Sequence, residues 1–338
     1  MNRRAIQVII LLAIGIFFLI IWARFINFQG LTRTLSQTHS EWIIFGVPFY
    51  LAGILVRSLR WKLLLQHLTK LEVWTSFKLY LSGQMFNYLI PLRLGEVAKS
   101  VFLKQKKGVH ITRSFPTIII DKVLDLLILL IVVFILFGLV QNTTHIPIVW
   151  IFIIIVILGI TSLIYTIHNE RPFIYLIQKL LFFAPQFSTT IQKHTRTMIA
   201  ELRIIKQKTS TLLTALALSF LGLVLDVAFF YSMLKAIGLT GIPLLHAFFG
   251  YTLIIISYTI PTPPAQLGSN EILYLVVFSV LLGMDTDKIA AVTILVHAAT
   301  TIILVLGGII SLRLLKISPK ELFNKKTYMS SSNRDIYK

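Results

Sequence analysis

The stretch Asn87-Tyr-Leu-Ile-Pro-Leu-Arg-Leu-Gly-Glu-Val-Ala-Lys99 decides how this chain folds, because it sets proline, arginine, glycine, glutamate and lysine inside an apolar neighbourhood. A second stretch, residues 258–271 (Tyr-Thr-Ile-Pro-Thr-Pro-Pro-Ala-Gln-Leu-Gly-Ser-Asn-Glu), again leads from an apolar segment through proline to glycine and glutamate. Two interrupted hydrophobic segments at corresponding places in the two halves of a chain indicate a membrane transporter with a binding site near the bilayer midplane. We therefore expect two broken helices that meet at such a site.

The composition excludes an ordinary soluble protein. Of the 338 residues, 56% are hydrophobic and 13% are charged, whereas about a quarter of a soluble domain is charged. The formal net charge of +19 would suggest nucleic acid as a partner, but the basic residues lie in short segments between apolar runs, as the positive-inside rule describes. The composition therefore predicts a polytopic membrane protein that binds no nucleic acid.

The chemistry that the sequence offers is limited. It contains no cysteine, so disulfides, thiolate nucleophiles and cysteine-ligated metals are excluded. No nucleotide-binding loop, dinucleotide fingerprint, zinc motif or serine elbow is present. We therefore expect no cofactor and no metal site, and a transporter rather than an enzyme.

Apolar windows near the ~20 residues that a helix needs to cross a bilayer predict six spanning helices, at residues 5–22, 42–59, 115–139, 147–167, 211–235 and 289–312. Two less regular regions, residues 75–103 and 244–282, contain the two breaks, and each predicts a pair of half-helices that form a re-entrant hairpin. Backbone groups left unpaired at such breaks are tolerated only where protein or water covers them. The predicted fold is therefore all-α, with the two broken hairpins lining a cavity.

The distribution of lysine and arginine predicts the orientation. Most of them fall on one side of the membrane if both hairpins return to the side from which they start, which makes both termini cytoplasmic in a plasma-membrane protein. The two hairpins then enter from opposite sides, as inverted repeats do. We predict a transmembrane domain over residues 1–313, in which residues 168–210 form a basic, amphipathic cytoplasmic segment, and a disordered basic tail over residues 314–338. A solvated connector is the alternative for residues 168–210.

Two glutamates are the first candidates for a functional site. Glu96 and Glu271 each follow a glycine near a break, and a carboxylate at membrane depth is costly unless it is paired or wetted. The alternative is structural: Glu96 pairs with Arg93 or Lys99 and only fixes the break, with proline and glycine present for backbone geometry.

Other ionisable residues lie within the apolar runs. Asp121 and Asp125 share a helix face, which could meet an amine of a headgroup or the charges of Arg93 and Lys99, whereas Lys122 could pair locally. Asp226 and His297 are isolated within their runs, and each is a candidate proton relay, headgroup contact or helix-packing residue. Arg57, near the end of the second predicted helix, is expected to extend its side chain to the interface.

At these motifs the sequence resembles the transmembrane region of lysylphosphatidylglycerol synthases, a family of flippase-like membrane proteins, from about residue 10 to residue 313. The resemblance is carried by residues 87–99, by Asp121-Lys-Val-Leu-Asp125 and by residues 261–271. The sequence departs from the family at Lys99 and Lys122, where the family usually has arginine. It also departs at Pro264-Ala-Gln266, where the family is usually glycine-rich, and at His297, in a region where arginine is common.

The resemblance implies translocation of an anionic or aminoacylated phospholipid or of a lipid-linked sugar. Such movement would be downhill or coupled to an ion gradient, with Glu96 or Asp226 as a proton carrier. Members with an additional soluble domain are phosphatidylglycerol lysyltransferases, but this sequence has no segment that could perform that reaction. Two alternatives stay open: a membrane subunit that works with a separate soluble synthase, and a non-transporting scaffold for envelope or glycolipid assembly. The candidate site residues are Asn87, Pro91, Arg93, Gly95, Glu96, Lys99, Asp121, Lys122, Asp125, Asp226, Pro261, Gly268, Glu271 and His297.

Overall fold

The computed structural model describes residues 3–90, 95–137, 188–258 and 262–323, together with isolated positions between 139 and 169. These residues form helices and no strand. The helices are α1 (Arg3–Ala23), α2 (Phe28–Ser36), α3 (Ser40–Leu65), α4 (Val73–Leu89), α5 (Gly95–Lys107), α6 (Ile111–Phe137), α7 (Ser188–Lys206), α8 (Thr209–Ala236), α9 (Leu244–Ser257), α10 (Ser269–Tyr274, continued by a π-helical segment Leu275–Leu281) and α11 (Thr286–Leu315). Most of the span predicted at residues 147–167, and the tail beyond residue 323, lie outside the described residues.

Three of the described helices, α3, α8 and α11, are long and apolar enough to cross a membrane. A fourth span is added if the pair Leu12–Ala23 and Phe28–Ser36, which bends by 90°, counts as one. Helix α6 has the length of a span, 27 residues, but carries charged residues within it. The long helices expose large apolar side chains on their outer faces, among them Ile44, Phe134 and Ile310, as expected for surfaces that face lipid. The all-α membrane architecture is therefore confirmed, with three to four candidate spans in the described part instead of the six predicted for the whole chain.

Both predicted breaks are present as interruptions between helices. Helix α4 ends at Leu89 and the next residue, Ile90, is extended (φ −107°, ψ 126°), because a residue that precedes proline is disfavoured in helical conformation. Helix α5 then begins at Gly95. In the second break, α9 ends at Ser257 and α10 begins after Gly268, whose φ of 74° is the left-handed conformation that glycine adopts without strain.

The helices pack around two large hydrophobic cores, and a smaller third core joins α7 to parts of α3, α6 and α8. One core gathers α3, α4, α5, the start of α6 and the end of α11, with Trp61, Tyr80 and Phe102 at its centre. The other gathers α8, α9, α10, the start of α11 and the end of α6, and Phe230 lies against the rings of three neighbours in it. Helices α3 and α8 make the most extensive helix pair and join the two groups. Charged side chains that point away from lipid therefore meet between the two cores.

Candidate functional site

An ion pair at the α3–α8 contact forms one wall of the site. Arg57 donates from Nη1 to Asp226 Oδ1 at 3.1 Å and from Nη2 to Oδ2 at 2.5 Å. The two helices run antiparallel, because Gln66 at the end of α3 bonds Thr211 at the start of α8. Gly53 lets the helices approach, since a Cβ there would lie 2.8 Å from Asp226 Oδ1. The glycine and the ion pair together fix how these helices cross.

Arg60, one turn further along α3, is fully buried and binds two carboxylates of α6. Its Nε donates to Asp121 Oδ1 at 2.6 Å, its Nη2 donates to Asp125 Oδ2 at 2.9 Å, and its Nη1 bonds the other oxygen of Asp125. Ser219 of α8 accepts a further bond from Nη1 at 2.5 Å. A guanidinium suits this position because its planar fork can serve several acceptors at once.

The first break is closed by contacts to Glu96, in the first turn of α5, where the helix dipole favours a carboxylate. Asn87, at the end of α4, donates from Nδ2 to Oε1 at 2.7 Å, which ties the two half-helices together. Lys122 Nζ of α6 lies 2.9 Å from the same oxygen, and Lys99 Nζ lies 2.6 Å from Oε2. The ammonium of Lys99 also faces the ring of Tyr80 at 4.5 Å from its centroid. Glu96 is therefore shared between two lysines and an amide.

The second break is closed in a different way. His297 of α11 places Nδ1 2.7 Å from Glu271 Oε1 and Nε2 2.9 Å from the backbone oxygen of Ala265. Ala265 and Gln266 both have positive φ, 54° and 57°, a conformation that is uncommon and costly for residues with a Cβ. The imidazole thus holds a strained turn and a buried carboxylate at the same time.

A cavity of about 410 Å³ opens between these clusters. Both halves of the chain line it with charged, amide, hydroxyl and phenol side chains, against a background of leucine, isoleucine and valine. The polar lining residues are Tyr50, Arg57, Tyr80, Gln84, Asn87, Tyr88, Glu96, Lys122, Asp125, Ser219, Asp226, Tyr251, Tyr258, Thr262, Gln266, Asn270, Tyr274 and Thr300. Such a cavity can hold a polar headgroup while the surrounding helices remain in contact with lipid chains.

The described charges around the cavity balance one another. Four cations (Arg57, Arg60, Lys99 and Lys122) contact four carboxylates (Glu96, Asp121, Asp125 and Asp226). Unpaired charges are costly at membrane depth, whereas paired and hydrogen-bonded ones are tolerated. Among the described residues no group of three or more histidine, aspartate or glutamate side chains could hold a metal ion.

The predicted site residues fall into three groups. Those that line the cavity are Asn87, Glu96, Lys122, Asp125 and Asp226. Those that contact lining residues without lining the cavity themselves, or that build the second break, are Gly95, Lys99, Asp121, Gly268, Glu271 and His297. Those that lie outside the described residues are Pro91, Arg93 and Pro261. The structure thus brings eleven of the fourteen into one region, and their roles in lipid binding stay predictions.

Sequence reasoning missed the two arginines of α3. Arg57 does not extend to the interface, because its side chain is only 17% exposed and binds Asp226. Arg60 lies just beyond the predicted helix at residues 42–59, whereas α3 continues to Leu65. A signal was present: the two arginines are three residues apart and so lie on one helix face, and the aspartates of α6 offer a matching acidic face. The phenols of the lining gave no comparable signal.

The fold and the site together define a polytopic α-helical membrane protein with a charged cavity between two broken helices. The chain belongs to the family described as the lysylphosphatidylglycerol synthase TM region, because the model of that family matches residues 6–308. It is 21% identical over 333 residues to a UPF0104 membrane protein of Methanocaldococcus jannaschii, an alignment that covers 94% of this chain and 96% of that relative. No solved structure matches the chain. The resemblance noted in the sequence is thereby confirmed, and the chain is embedded in a membrane.

Proposed function

We propose that this protein moves a lipid between the two leaflets of the plasma membrane, with the headgroup passing through the cavity. The observation that carries the proposal is a charged cavity of about 410 Å³ between two broken helices in a chain whose long helices expose apolar surfaces. A headgroup that crosses the hydrocarbon unaided loses its hydration, which costs several kcal/mol for each buried polar group. A cavity lined by charges and hydroxyls lowers that cost.

We also propose that the chain is built from inverted repeats with about six spans, the first repeat being α3 to α6 and the second α8 to α11. Each repeat consists of a long helix, two half-helices separated by a break, and a second long helix. Arg57 and Asp226, which bind each other, occupy the same position counted from the starts of α3 and α8. An antiparallel contact between equivalent positions is what a two-fold axis in the membrane plane would produce.

For the headgroup we propose contacts from residues that line the cavity. Lys122 is the best placed described cation, because its side chain is 34% exposed and it pairs with only one oxygen of Glu96. Lys99 is fully buried between Glu96 and Tyr80, so in this proposal it positions the glutamate. Arg93 would add a second phosphate contact. Amine or hydroxyl groups of the headgroup would meet Glu96 and Asp125, so the expected partners are anionic or aminoacylated phospholipids or lipid-linked sugars.

The test is transport in proteoliposomes, measured with fluorescent phospholipids and with aminoacylated phosphatidylglycerol. We expect the wild type to equilibrate at least one of them between leaflets. Glu96→Gln and Arg93→Ala should each slow transport by about tenfold or more, the effect of losing one charge-assisted contact of ~1.4 kcal/mol. Glu41→Gln is the matched control, because Glu41 lies in the first turn of α3 with its side chain 68% exposed, and it should transport normally.

Transport that is equal in all four proteins would exclude the cavity as the route. If folded wild type moves no lipid, the proposal fails and the partner-dependent enzyme subunit becomes the better candidate. That alternative would be supported by a lysylated lipid that forms only when a soluble synthase is present. Unchanged envelope assembly in the charge variants would instead favour the scaffold.

The proposed orientation has its own prediction, which concerns cysteine labelling in intact cells. Because the sequence contains no native cysteine, each introduced cysteine supplies the one thiol that can be labelled. With both termini in the cytoplasm, we expect Asn142→Cys to react with an impermeant maleimide from outside, and Gln192→Cys to react only after permeabilisation. The opposite pattern would reverse the topology, including the cytoplasmic placement of the basic segment at residues 168–210.

A further inference from the structure

His297 is bound at both ring nitrogens by groups that accept hydrogen bonds. Its Nε2 lies 2.9 Å from the backbone oxygen of Ala265, and since a carbonyl oxygen can only accept, Nε2 carries a hydrogen. Its Nδ1 lies 2.7 Å from Glu271 Oε1, a contact that requires a second hydrogen between the two atoms. The arrangement therefore holds one proton more than a neutral histidine beside an ionised glutamate.

Because both side chains are buried, loss of that proton is unfavourable as long as the two side chains stay in contact. The side chains of His297 and Glu271 are only 12% and 8% exposed. Glu271 Oε2 has no hydrogen-bond partner among the described residues. Without the shared proton, a carboxylate with one unsatisfied oxygen would face the lone pair of the imidazole at membrane depth, which is unfavourable for both groups. The contact would separate and admit water, which is the acceptor of the proton.

The contact also holds the strained turn of the second break. Ala265 and Gln266 keep their positive φ values while the imidazole is bonded to the Ala265 oxygen. Conformations of this kind persist only where surrounding contacts enforce them. Gln266 lines the cavity, so release of the turn changes the cavity wall.

The first break is closed by charges that do not titrate near neutral pH. Lys122 occupies the same position counted from the start of α6 as His297 does from the start of α11. Glu96 contacts two lysines and an amide, and Asp226 contacts an arginine. Histidine is the side chain whose ordinary charge change falls between about pH 5 and 8, so the described contacts favour the second break over Glu96 as the place of a proton carrier.

Among the described residues, the other titratable groups near this contact are phenols. Tyr88 of α4 packs edge-on against the imidazole, Tyr258 at the end of α9 bonds Asn270, and Tyr274 follows Glu271 on α10. Phenols titrate near pH ~10, so they remain neutral in the relevant range. The described face of α1 that packs here, residues 12–23, has no titratable side chain. On α8, the carboxylate of Asp226 is held by Arg57. Helix α2 also packs against α11, and at its start the backbone N–H of Asn27 donates to Asp287 in the first turn of α11.

We propose that Glu271 and His297 form a proton-binding site that latches the second break, closed when the shared proton is bound and open when it is released to water. The second break of the cavity would then respond to pH, whereas the first break would not. Its coupling to lipid movement rests on the proposed function, whereas the proton site itself does not.

The latch is tested by hydrogen–deuterium exchange of the full-length protein in nanodiscs, read by mass spectrometry. After correction for the chemical exchange rate, we expect peptides that cover residues 262–271 to exchange at least about tenfold faster at about pH 8.5 than at about pH 5.5, a range that brackets histidine titration. Peptides that cover residues 95–103, beside the first break, are the internal control and should not change. An equal response in both segments, or none in either, would overturn the latch.

Two variants test the assignment to these residues. Glu271→Gln supplies an amide hydrogen to Nδ1 without a proton from solution, so residues 262–271 should stay protected at both pH values. His297→Lys replaces the imidazole by a cation that does not titrate in this range and should also abolish the pH response. A pH response that persists in either variant, if that variant is folded, would refute the assignment.

Coupling between proton movement and lipid movement is measured in proteoliposomes that contain a trapped pH indicator and the lipid that the wild type transports. We expect proton movement to accompany lipid movement in the wild type and to be absent in Glu271→Gln. Lipid transport without proton movement would overturn the coupling and leave the proposed function intact. If no lipid moves but residues 262–271 still respond to pH, the proton site stands and the proposed function fails.

Discussion

Arg60→Met is expected to destabilise the folded protein more than any other single loss of charge in the described part. The side chain is fully buried, and its removal leaves Asp121 and Asp125 facing each other without their main counter-ion. Breaking a buried ion pair on one side costs about 3–5 kcal/mol, and here two carboxylates lose the same partner. We expect a free energy of unfolding lowered by at least about that amount, measured by chemical denaturation in mixed micelles.

Arg57→Met is the matched control for this prediction. It lies on the same helix and also removes a guanidinium, but it leaves only Asp226 without its partner, and its own side chain is 17% exposed. We expect a smaller loss of stability than for Arg60→Met. Equal losses, or a stable Arg60→Met protein, would mean that the carboxylates of α6 find other partners, of which Lys99, 3.8 Å from Asp121, is the nearest described cation.

Gly95→Ala is expected to disrupt the first break. A Cβ at this position would overlap the backbone oxygen of Gly83 and the backbone nitrogen of Asn87, so α4 and α5 would have to separate. Overpacking against a rigid surface costs about 1–3 kcal/mol, and alanine regains at most about 1 kcal/mol through helix propensity. The clash therefore dominates. We expect lower thermal stability and at least about tenfold slower lipid transport, because Asn87 would no longer reach Glu96.

The control is Gly241→Ala, where a Cβ would meet nothing within 4 Å. We expect wild-type stability and transport in this variant. If Gly95→Ala were as active as Gly241→Ala, the close approach of the two half-helices would not be needed for the cavity. A stable but inactive Gly95→Ala protein would show instead that the break is required specifically for transport.

The two breaks differ in what holds them, although their sequences follow the same plan. Both place a glutamate in the first turn of a half-helix, opposite a basic residue of the following long helix. At the first break that residue is a lysine supported by a second lysine, and lysine does not ordinarily change charge within the physiological pH range. At the second break it is a histidine that also carries the strained turn. Only the second break is therefore expected to respond to pH.

The sequence alone determined the class of protein and the position of the breaks. A chain with only 13% charged residues and long apolar runs is typical of a membrane protein. Proline and glycine act on the backbone locally, so the interruptions after Leu89 and Ser257 follow from neighbouring residues. For the same reason Glu96 and Glu271 could be identified, since a charged residue beside a break in an apolar run is recognised from the linear sequence alone. The family resemblance rested on these local motifs and is confirmed.

Only the tertiary structure decided which charges meet. The partners Arg57 and Asp226 are 169 residues apart, and Arg60 reaches carboxylates more than 60 residues away. The helical period gives the face on which a residue lies, but it does not give the helix that this face meets. The end of α3 also depended on packing, because Arg60 and Trp61 remain helical beyond the predicted boundary only through buried partners on other helices. The stability of a buried ion pair depends on two segments that are distant in sequence, so the pairs could be identified only in the folded structure.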